Sequence, residues 1–448
     1  MRSAASTPSS PPSPPVPSAC FAVAPDGSVA FDAAATGEIL EGRPATASTA
    51  RTLVLNRPGA LNSLNAGMVS ALRSRLLAYE TATPPGVGIV FLRGAGRAYC
   101  AGGDLRALYG AGNGDPGARL AAAEAFFRAE YELNYVLATL SGGVMAVALL
   151  DGIVMGGGVG VSVHAPFRVA TERVVLAMPE AVIGLHPDVG ASHLLGRLPG
   201  RTGEWMAATG ARLTGAQAVA VGLATHLVPS GRLADLVVRL EAVSPTRRAA
   251  VEAELAIFAE ATAPQVGGRG SSDADAQRRA AFPHADAMDE AFGADTMEET
   301  VAKLEGWAAG AGIDAGDVDG DMASSRAAWA AETLGQLAAG SPFSVKLGVA
   351  SVRAGRTESL RACLVREHAM SVRCAAGTDV WEGIRAALVD KDRSPRWSAA
   401  HLADVADADV AAFMRPLTVE EDGAAPLVLE PRGVDVYMDR PGGGRSRL

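Results

Sequence analysis

The chain has 448 residues, of which 48% are hydrophobic and 20% charged, and a formal net charge of -9 at pH 7. This composition is ordinary for a folded globular protein, and the length allows one large domain with additions or two to three average domains. The mildly acidic balance, without a long lysine or arginine run, argues against nucleic-acid binding. No apolar run reaches the roughly 18 residues that a membrane helix needs, so we expect a soluble protein.

The two ends of the chain have features of targeting segments. We predict a disordered leader over residues 1–45, since its first 20 residues contain six prolines, and such a leader is also compatible with an organelle transit peptide. At the other end, Ser446-Arg447-Leu448 is a conservative variant of the S-K-L peroxisomal address and follows three glycines. We therefore predict a peroxisomal location through an import receptor, with the mitochondrion as the alternative.

Between residues 46 and 245, short apolar runs alternate with helical patterns. The segment 65–80 has apolar residues at helical spacing, among them Met68, Leu72 and Leu76. Because glycine and proline turns separate the apolar runs, we predict an α/β core over 46–245. The predicted strands are 52–55, 88–92, 144–150 and 168–170.

The character of the sequence changes after this core. Alanine, glutamate and arginine at helical spacing predict a helical C-terminal region over 246–417. A glycine- and aspartate-rich interruption at 310–322 predicts a loop insertion. Residues 418–448 lose periodicity and are predicted to form a tail.

Two glycine-rich segments follow predicted strands. They are Ala101-Gly102-Gly103-Asp104-Leu105 and Gly156-Gly157-Gly158. Glycine frees main-chain N–H groups to face a ligand, and two such groups aimed at one carbonyl oxygen form an oxyanion hole for acyl transfer. Either segment, taken alone, is more often a structural feature, namely a tight turn or a site of close helix packing.

Two acidic residues lie in turn-rich, apolar sequence after the glycine segments. Glu180 and Asp188 are eight residues apart, with Gly184 and Pro187 between them. Carboxyl groups in such surroundings have raised pKa values and act as acids or bases, although solvated loop acids or helix caps would have the same spacing.

Other catalytic and metal-binding patterns are absent from the sequence. There is no phosphate-binding loop, no dinucleotide-binding G-x-G-x-x-G and no G-x-S-x-G nucleophile elbow. Cys100 has no histidine near it in sequence, and His186 and His193 are most simply interpreted as packing or surface residues. The four cysteines form no C-x-x-C pair and the seven histidines are scattered, so we expect no metal site and no cofactor.

The glycine and acidic motifs together resemble the crotonase (enoyl-CoA hydratase/isomerase) superfamily. Longer motifs are similar to one branch of it, the 3-hydroxyisobutyryl-CoA hydrolases, over about residues 46–415. The motifs that carry the resemblance are Leu55-Asn56-Arg57-Pro58, Ala101-Gly102-Gly103-Asp104-Leu105, Glu130-Tyr131-Glu132-Leu133-Asn134, Phe167-Arg168-Val169-Ala170-Thr171-Glu172, Ala177-Met178-Pro179-Glu180, residues 183–190, Gly222-Leu223-Ala224-Thr225-His226 and Ser394-Pro395-Arg396-Trp397.

This resemblance implies a spiral of ββα repeats and a helical C-terminal region that closes over the acyl site. It implies hydrolysis of 3-hydroxyisobutyryl-CoA in valine breakdown, with coenzyme A as part of the substrate. The implied oxyanion-hole donors are Gly103 and Gly157, and the implied catalytic residues are Glu180 and Asp188. Glu130, Gly157, Glu180 and Asp188 would contact the substrate, and Ala101, Gly103, Asp104 and Leu105 would bind CoA.

Other functions remain open at this point. An enoyl-CoA hydratase is one, but such enzymes carry a second glutamate after the second glycine segment, where this chain has Val159-Gly160-Val161. A non-catalytic subunit of a mitochondrial ribosome is another. His186 departs from the pattern because it replaces a frequent aromatic residue. The sequence leaves open the choice between 3-hydroxyisobutyryl-CoA and 3-hydroxypropionyl-CoA, whether Glu180 is base or nucleophile, and the oligomeric state, a homo-oligomer included.

Overall fold

The computed structural model describes residues 22–23, 29–30, 37–42, 49–82, 86–243, 248–259, 272–310 and 320–432. The strands are β1 (Ala22–Val23), β2 (Val29–Ala30), β3 (Ile39–Gly42), β4 (Ala50–Leu55), β5 (Ile89–Gly94), β6 (Ala98–Cys100), β7 (Met145–Leu150), β8 (Ile153–Met155), β9 (Phe167–Ala170), β10 (Val175–Ala177), β11 (Leu213–Thr214) and β12 (His226–Leu227).

The first half of the chain also contains the helices that surround these strands. They are α1 (Ala66–Glu80), α2 (Leu105–Gly110), α3 (Pro116–Ala138), α4 (Gly157–Gly160), α5 (Ala191–Leu195), α6 (Thr202–Thr209), α7 (Gly215–Ala220) and α8 (Leu233–Glu241). The remaining helices are α9 (Arg248–Phe258), α10 (Ser272–Ala281), α11 (Ala285–Phe292), α12 (Met297–Ala308), α13 (Gly320–Ala339), α14 (Pro342–Gly355), α15 (Leu360–Ala376), α16 (Asp379–Ile384), α17 (Asp407–Phe413) and α18 (Val419–Asp422).

Two sheets organise the core. The six-stranded sheet has the order β12-β9-β7-β5-β4-β3, and the four-stranded sheet has the order β11-β10-β8-β6. Three consecutive strand pairs, β5–β6, β7–β8 and β9–β10, each place their first strand in the larger sheet and their second in the smaller one. Within each sheet these strands run parallel, so each pair stacks on the one before. This arrangement confirms the predicted crotonase-like spiral of ββα repeats.

The larger sheet is buried on both faces, which explains why its strands are continuous apolar runs rather than alternating ones. In β5, Val90 and Leu92 join the main core, whereas Ile89 and Phe91 face a second apolar cluster. Helices α8 and α9 cover that second cluster with Leu236, Leu240, Val251 and Leu255.

Helix α1 shows how local sequence sets an element. Asn65 caps its first turn, because the Asn65 side chain accepts a hydrogen bond from the Met68 N–H at 2.9 Å. Met68, Leu72 and Leu76 lie on its buried face, as their helical spacing predicts.

The helical C-terminal region is confirmed, and it packs directly on the spiral. Helix α15 contacts α3, and α14 contacts α5 and α6. The side chain of Ser341 caps α14 and that of Ser359 caps α15. No helix in the described part of the chain combines the length and the apolarity needed to cross a lipid bilayer.

Three details of the structure differ from the boundaries expected from sequence. Strand β3 precedes residue 46 yet forms the edge of the six-stranded sheet through antiparallel pairing with β4. Residues 320–322 begin helix α13, so only 311–319 of the expected insertion lie outside the described residues.

The third difference concerns the expected tail. Within it, Leu427 and Leu429 are buried. Arg128 donates to the Ala425 carbonyl at 2.6 Å, and Arg361 donates to the Leu429 carbonyl at 2.5 Å. Residues 418–432 therefore pack along the protein despite their lack of periodicity. The terminal Ser446-Arg447-Leu448 lies outside the described residues.

Substitution of the two glycines that flank β7 would test how closely the repeats of the spiral pack. Gly143 and Gly152 both have positive φ, 78° and 82°. A Cβ at Gly152 would lie 2.1 Å from the Arg97 carbonyl oxygen, whereas a Cβ at Gly143 would meet nothing within 4 Å. Gly143→Ala should therefore cost about 1 kcal/mol of unfolding free energy from backbone strain alone. Gly152→Ala should cost about 3 kcal/mol beyond that, because the β7–β8 turn must move.

Urea unfolding of both variants measures the difference. Equal losses in the two variants would show that the spiral turns are not packed as closely as described.

Candidate active site

One cavity of about 210 Å³ is lined by most of the candidate site residues predicted from sequence. Its walls come from the segment after β6, from α3, from the β8–α4 junction and from the segment after β10. The lining residues are Ala101, Gly102, Gly103, Leu105, Phe126, Phe127, Glu130, Met155, Gly156, Gly157, Pro179, Glu180, Val182, Ile183, Leu185, Asp188 and Leu388. The spiral therefore brings Gly103, Gly157, Glu130, Glu180 and Asp188 together.

Two backbone N–H groups in this cavity are free of the sheet and helix ladders. Gly103 lies opposite Leu64 in a single parallel bridge, but the bridge uses the Gly102 carbonyl and the Asp104 N–H. Gly157 is the first residue of α4, where an N–H has no partner within its own helix. Within the described residues, neither the Gly103 nor the Gly157 N–H donates a hydrogen bond.

Glycine is required where the second segment meets the acidic side chains. A Cβ at Gly157 would lie 2.3 Å from Glu130 Oε1 and 3.3 Å from the Gly103 nitrogen. A Cβ at Gly156, which has φ of +49°, would lie 2.8 Å from Glu180 Oε1. A side chain at either position would displace one of these carboxyl groups, and at position 157 it would also crowd the other free N–H.

Glu180 begins a short 3₁₀ helix, Glu180–Ile183, directly after β10. The helix ends at Gly184 in the left-handed conformation, and the Leu185 N–H returns to the Glu180 carbonyl at 3.0 Å. The Glu180 side chain is 5% exposed, and Oε2 has no hydrogen-bond partner among the described residues. Burial, followed by the nearby Asp188 charge, raises the pKa of Glu180 well above its usual value.

Asp188 lies in a loop whose next two residues, Val189 and Gly190, have φ of 56° and 84°. This left-handed turn lets the Ala191 N–H donate to the Asp188 carbonyl at 2.8 Å. The Tyr131 hydroxyl donates to Asp188 Oδ2 at 2.6 Å. Burial raises the pKa of Asp188 to about 6, and the Tyr131 hydrogen bond opposes that rise.

Glu130 supplies a third carboxyl group from helix α3. It is 2% exposed, and its Oε1 has no partner among the described residues. Burial, and then the Asp188 charge, raise its pKa well above the usual value. Three deeply buried carboxyl groups in one cavity cannot all be ionised at neutral pH, so at least one of them holds a proton there.

The remaining residues of the first glycine segment separate into two groups. Ala101 and Leu105 line the cavity. Asp104 does not: its side chain accepts from the Ala107 N–H at the start of α2 and from Arg57 Nη2 at 2.9 Å. Asp104 therefore fixes the segment rather than facing the cavity.

The cysteine and the two histidines that were considered as a nucleophile or as general bases are buried. Burial raises the pKa of Cys100 to about 12, so it stays a thiol at neutral pH. His186 and His193 are both fully buried, which excludes a surface role. In the described part of the chain, no group of three or more His, Cys, Asp or Glu residues is arranged to hold a metal ion.

Sequence reasoning missed three contributors to the site. Tyr131 holds Asp188, Ser371 on α15 contacts the Tyr131 hydroxyl at 2.7 Å, and Leu388 lines the cavity from the C-terminal region. Tyr131 lies beside Glu130 in a motif that was recognised. Ser371 is 240 residues away from Tyr131, and no local pattern marks it.

Comparison with known proteins identifies the family. Residues 50–414 match the family model described as enoyl-CoA hydratase/isomerase. The chain is 40% identical over 394 residues to 3-hydroxyisobutyryl-CoA hydrolase 1 of Arabidopsis thaliana, which covers 86% of this chain and 93% of that protein. It is 37% identical to the mitochondrial 3-hydroxyisobutyryl-CoA hydrolase of Gallus gallus, over 82% of this chain and 86% of that protein.

Two further relatives have other names. Small ribosomal subunit protein mS47 of Arabidopsis thaliana is 33% identical over 87% of this chain and 88% of its own length. The crystal structure of a carnitinyl-CoA dehydratase from Mycobacterium thermoresistibile superposes with a TM-score of 0.69 at 34% identity, over 85% of this chain and 97% of that one. The chain therefore belongs to the enoyl-CoA hydratase/isomerase family, and within it is similar to the 3-hydroxyisobutyryl-CoA hydrolases.

Proposed function

We propose that this protein is an acyl-CoA thioester hydrolase that cleaves 3-hydroxyisobutyryl-CoA to 3-hydroxyisobutyrate and CoA. The observation that carries the proposal is the pair of free Gly103 and Gly157 N–H groups beside the buried carboxyl groups of Glu180 and Asp188. The names of the hydrolase relatives support the same substrate.

The thioester carbonyl would bind between the Gly103 and Gly157 N–H groups. Attack on that carbonyl places negative charge on its oxygen, and two fixed donors in a dry cavity stabilise this charge without reorganising. Ala101 and Leu105, which flank Gly103 in the cavity wall, would contact the CoA end of the substrate. Asp104 would act on CoA only indirectly, by holding the start of α2.

The carboxyl groups would divide the proton transfers between them. Glu180, once ionised, either deprotonates the attacking water or attacks the acyl carbon to give an anhydride that water opens. Asp188, once protonated, would orient the 3-hydroxyl group and pass its proton to the departing thiolate. Glu130, which is close to Gly157, would contact the acyl group. This scheme requires the pair Glu180 and Asp188 to share one proton.

The location of the protein is a separate question. The Gallus gallus relative is named as mitochondrial, and this supports the mitochondrion rather than the peroxisome. The peroxisomal address Ser446-Arg447-Leu448 lies outside the described residues and stays a prediction.

A thiol-release assay on a panel of acyl-CoAs tests the function. We expect release of CoA from 3-hydroxyisobutyryl-CoA and a fall in kcat of at least about 100-fold in both Glu180→Gln and Asp188→Asn, since each substitution removes a proton-transfer group while keeping its shape. Glu80→Gln, a change at the end of α1, is the matched control and should leave kcat unchanged.

The same panel separates the competing functions. An enoyl-CoA belongs in it, because the cavity holds three carboxyl groups and their number alone does not exclude water addition to a double bond. Hydration of that substrate without thioester cleavage would replace the proposal with a hydratase. Absence of both reactions would favour a structural role, such as the name of the ribosomal relative describes.

A second prediction tests the oxyanion hole. Gly157→Ala should lower kcat by about 100- to 1000-fold, because the new methyl group would collide with Glu130 and crowd the Gly103 nitrogen. Gly110→Ala at the end of α2 is the control, since a Cβ there meets nothing within 4 Å. Thermal unfolding of both variants shows whether the fold survives. Full activity in a folded Gly157→Ala would show that the space beside Glu130 and the Gly103 nitrogen is not as restricted as described.

A further inference from the structure

Four side chains form a buried hydrogen-bonded chain behind the candidate site. Tyr131 Oη lies 2.6 Å from Asp188 Oδ2 and 2.7 Å from Ser371 Oγ. Ser371 Oγ lies 3.1 Å from His186 Nε2, and His186 Nδ1 lies 3.0 Å from the Pro187 carbonyl oxygen. We call Asp188, Tyr131, Ser371 and His186 the relay; each of the four is at most 4% exposed.

The far end of the relay fixes the direction of its hydrogen bonds. The Pro187 carbonyl can only accept, so His186 Nδ1 must carry a hydrogen. In a neutral imidazole the other nitrogen, Nε2, is then an acceptor, and the Ser371 hydroxyl must donate to it.

This direction continues to the carboxyl group. The Ser371 hydroxyl has a single hydrogen. When this hydrogen is donated to His186, the Ser371 oxygen can only accept a hydrogen bond from Tyr131. The Tyr131 oxygen is then free to accept. The contact in which Tyr131 donates to an ionised Asp188 is therefore reversed when Asp188 carries the proton. With a neutral His186, every bond of the relay is made only when Asp188 carries the proton.

In the alternative state, all hydrogen bonds of the relay run in the opposite direction. An ionised Asp188 needs the Tyr131 hydrogen, Tyr131 then needs the Ser371 hydrogen, and Ser371 needs a hydrogen from Nε2, which makes His186 an imidazolium. The two states hold the same number of protons and differ in where one of them lies: Nε2–H, Oγ–H and Oη–H each pass a hydrogen to the next atom, and Asp188 Oδ2–H forms. No bond other than these forms or breaks.

The surroundings of His186 oppose the imidazolium. Burial lowers the pKa of His186 to about 4; the nearby Arg366 charge lowers it too, while the backbone of Pro187 and of Glu367 raise it. Both Arg366 and Glu367 belong to α15, which packs against this loop.

Burial and the neighbouring acids favour the protonated form of Asp188, whereas the hydrogen bond from an unreversed Tyr131 favours the ionised form. Glu130 from α3 and Glu180 from the segment after β10 are the carboxyl groups near it, and Cys374 on α15 is a buried thiol whose pKa is raised. Glu367 on α15 lies close enough to influence both Glu180 and Tyr131. A negative charge on Asp188 would therefore lie close to the carboxyl groups of Glu130 and Glu180.

We propose that His186 is a positioning residue which, through Ser371 and Tyr131, holds the proton shared by the two catalytic carboxyl groups on Asp188. This inference rests on the proposed function, in which a protonated Asp188 protonates the departing thiolate while Glu180 is ionised. The relay selects that distribution of the shared proton over its reverse. His186 itself does not reach the cavity.

Cutting the relay at different points should move the pH profile in opposite directions. His186→Phe removes the acceptor of the Ser371 hydrogen, which can then turn toward Tyr131, so Tyr131 donates to an ionised Asp188 without competition. Ser371→Ala likewise leaves Asp188 as the only partner of the Tyr131 hydrogen. Both variants should lower the pKa of Asp188 and move the high-pH limb of the bell-shaped kcat/KM profile for thioester hydrolysis down by about one pH unit.

Tyr131→Phe should do the reverse. It removes a hydrogen-bond partner of Asp188 in both protonation states. The charged carboxylate loses more than the neutral acid when a buried hydrogen-bond donor is removed, so the high-pH limb should shift to higher pH. A structural defect would reduce activity at every pH without such a pattern of signs. His226→Phe is the matched control, because His226 has a pKa lowered to about 4 by burial but lies on β12, at the edge of the six-stranded sheet. Its profile should keep the wild-type position.

An infrared measurement makes the test independent of catalysis. The C=O stretch of protonated Asp188 is identified by its absence in Asp188→Asn, and its pH titration should shift down in His186→Phe and in Ser371→Ala. Ser371→Ala keeps the test available if His186→Phe does not fold. Unshifted titrations in both variants would overturn the relay even if the enzyme hydrolyses thioesters. The expected shifts in a protein without hydrolase activity would keep the relay and overturn the proposed function.

Discussion

Close approach between backbone and buried carboxyl groups is the constraint on which this structure depends. The free N–H groups of Gly103 and Gly157 share one cavity with Glu130 and Glu180 because the chain has no side chains at 156 and 157. Each repeat of the spiral contributes one part: a strand of the smaller sheet ends, and the residues that follow it turn into the same cavity. The stacking of parallel strands therefore determines which distant residues meet.

The C-terminal helices complete the site rather than merely covering it. On α15, Glu367 and Ser371 are one helical turn apart and face the same loop. Glu367 accepts from the Gly190 N–H at 2.6 Å and from the Ser192 N–H at 2.8 Å, which holds the left-handed turn after Asp188. Ser371 contacts Tyr131, which holds the Asp188 carboxyl group itself. Backbone and side chain of Asp188 are thus fixed by the same face of one helix.

Features with a local cause were predictable from sequence, and those with a long-range cause were not. The Asn65 cap and the apolar spacing of Met68 lie within one helix, so the pattern alone located α1. The edge strand β3 has only four residues, and its place in the sheet depends on pairing with β4. No local sequence pattern predicts this pairing.

The site shows the same division. Gly103, Gly157, Glu180 and Asp188 stand in recognisable motifs and do meet in one cavity. Asp104 stands in such a motif too, yet its carboxylate is used by a helix cap and by Arg57. A motif indicates which segment approaches the cavity, but the direction of each side chain depends on its partners, and Arg57 is 47 residues away from Asp104.

The buried acids also set a balance between stability and chemistry. Folding raises the pKa of Glu130 and of Glu180 above the ordinary value of 4.5, so both bind protons more tightly in the folded state. Their contribution to stability is complete below about pH 4.5 and is lost as the pH rises through the folded values. At neutral pH the fold must therefore hold groups that would ionise more easily in the unfolded chain. The hydrogen bonds from the Gly190 and Ser192 N–H groups to Glu367 and the packing of α15 on α3 offset this loss of stability. The folded protein can therefore keep a protonated acid in the site at neutral pH.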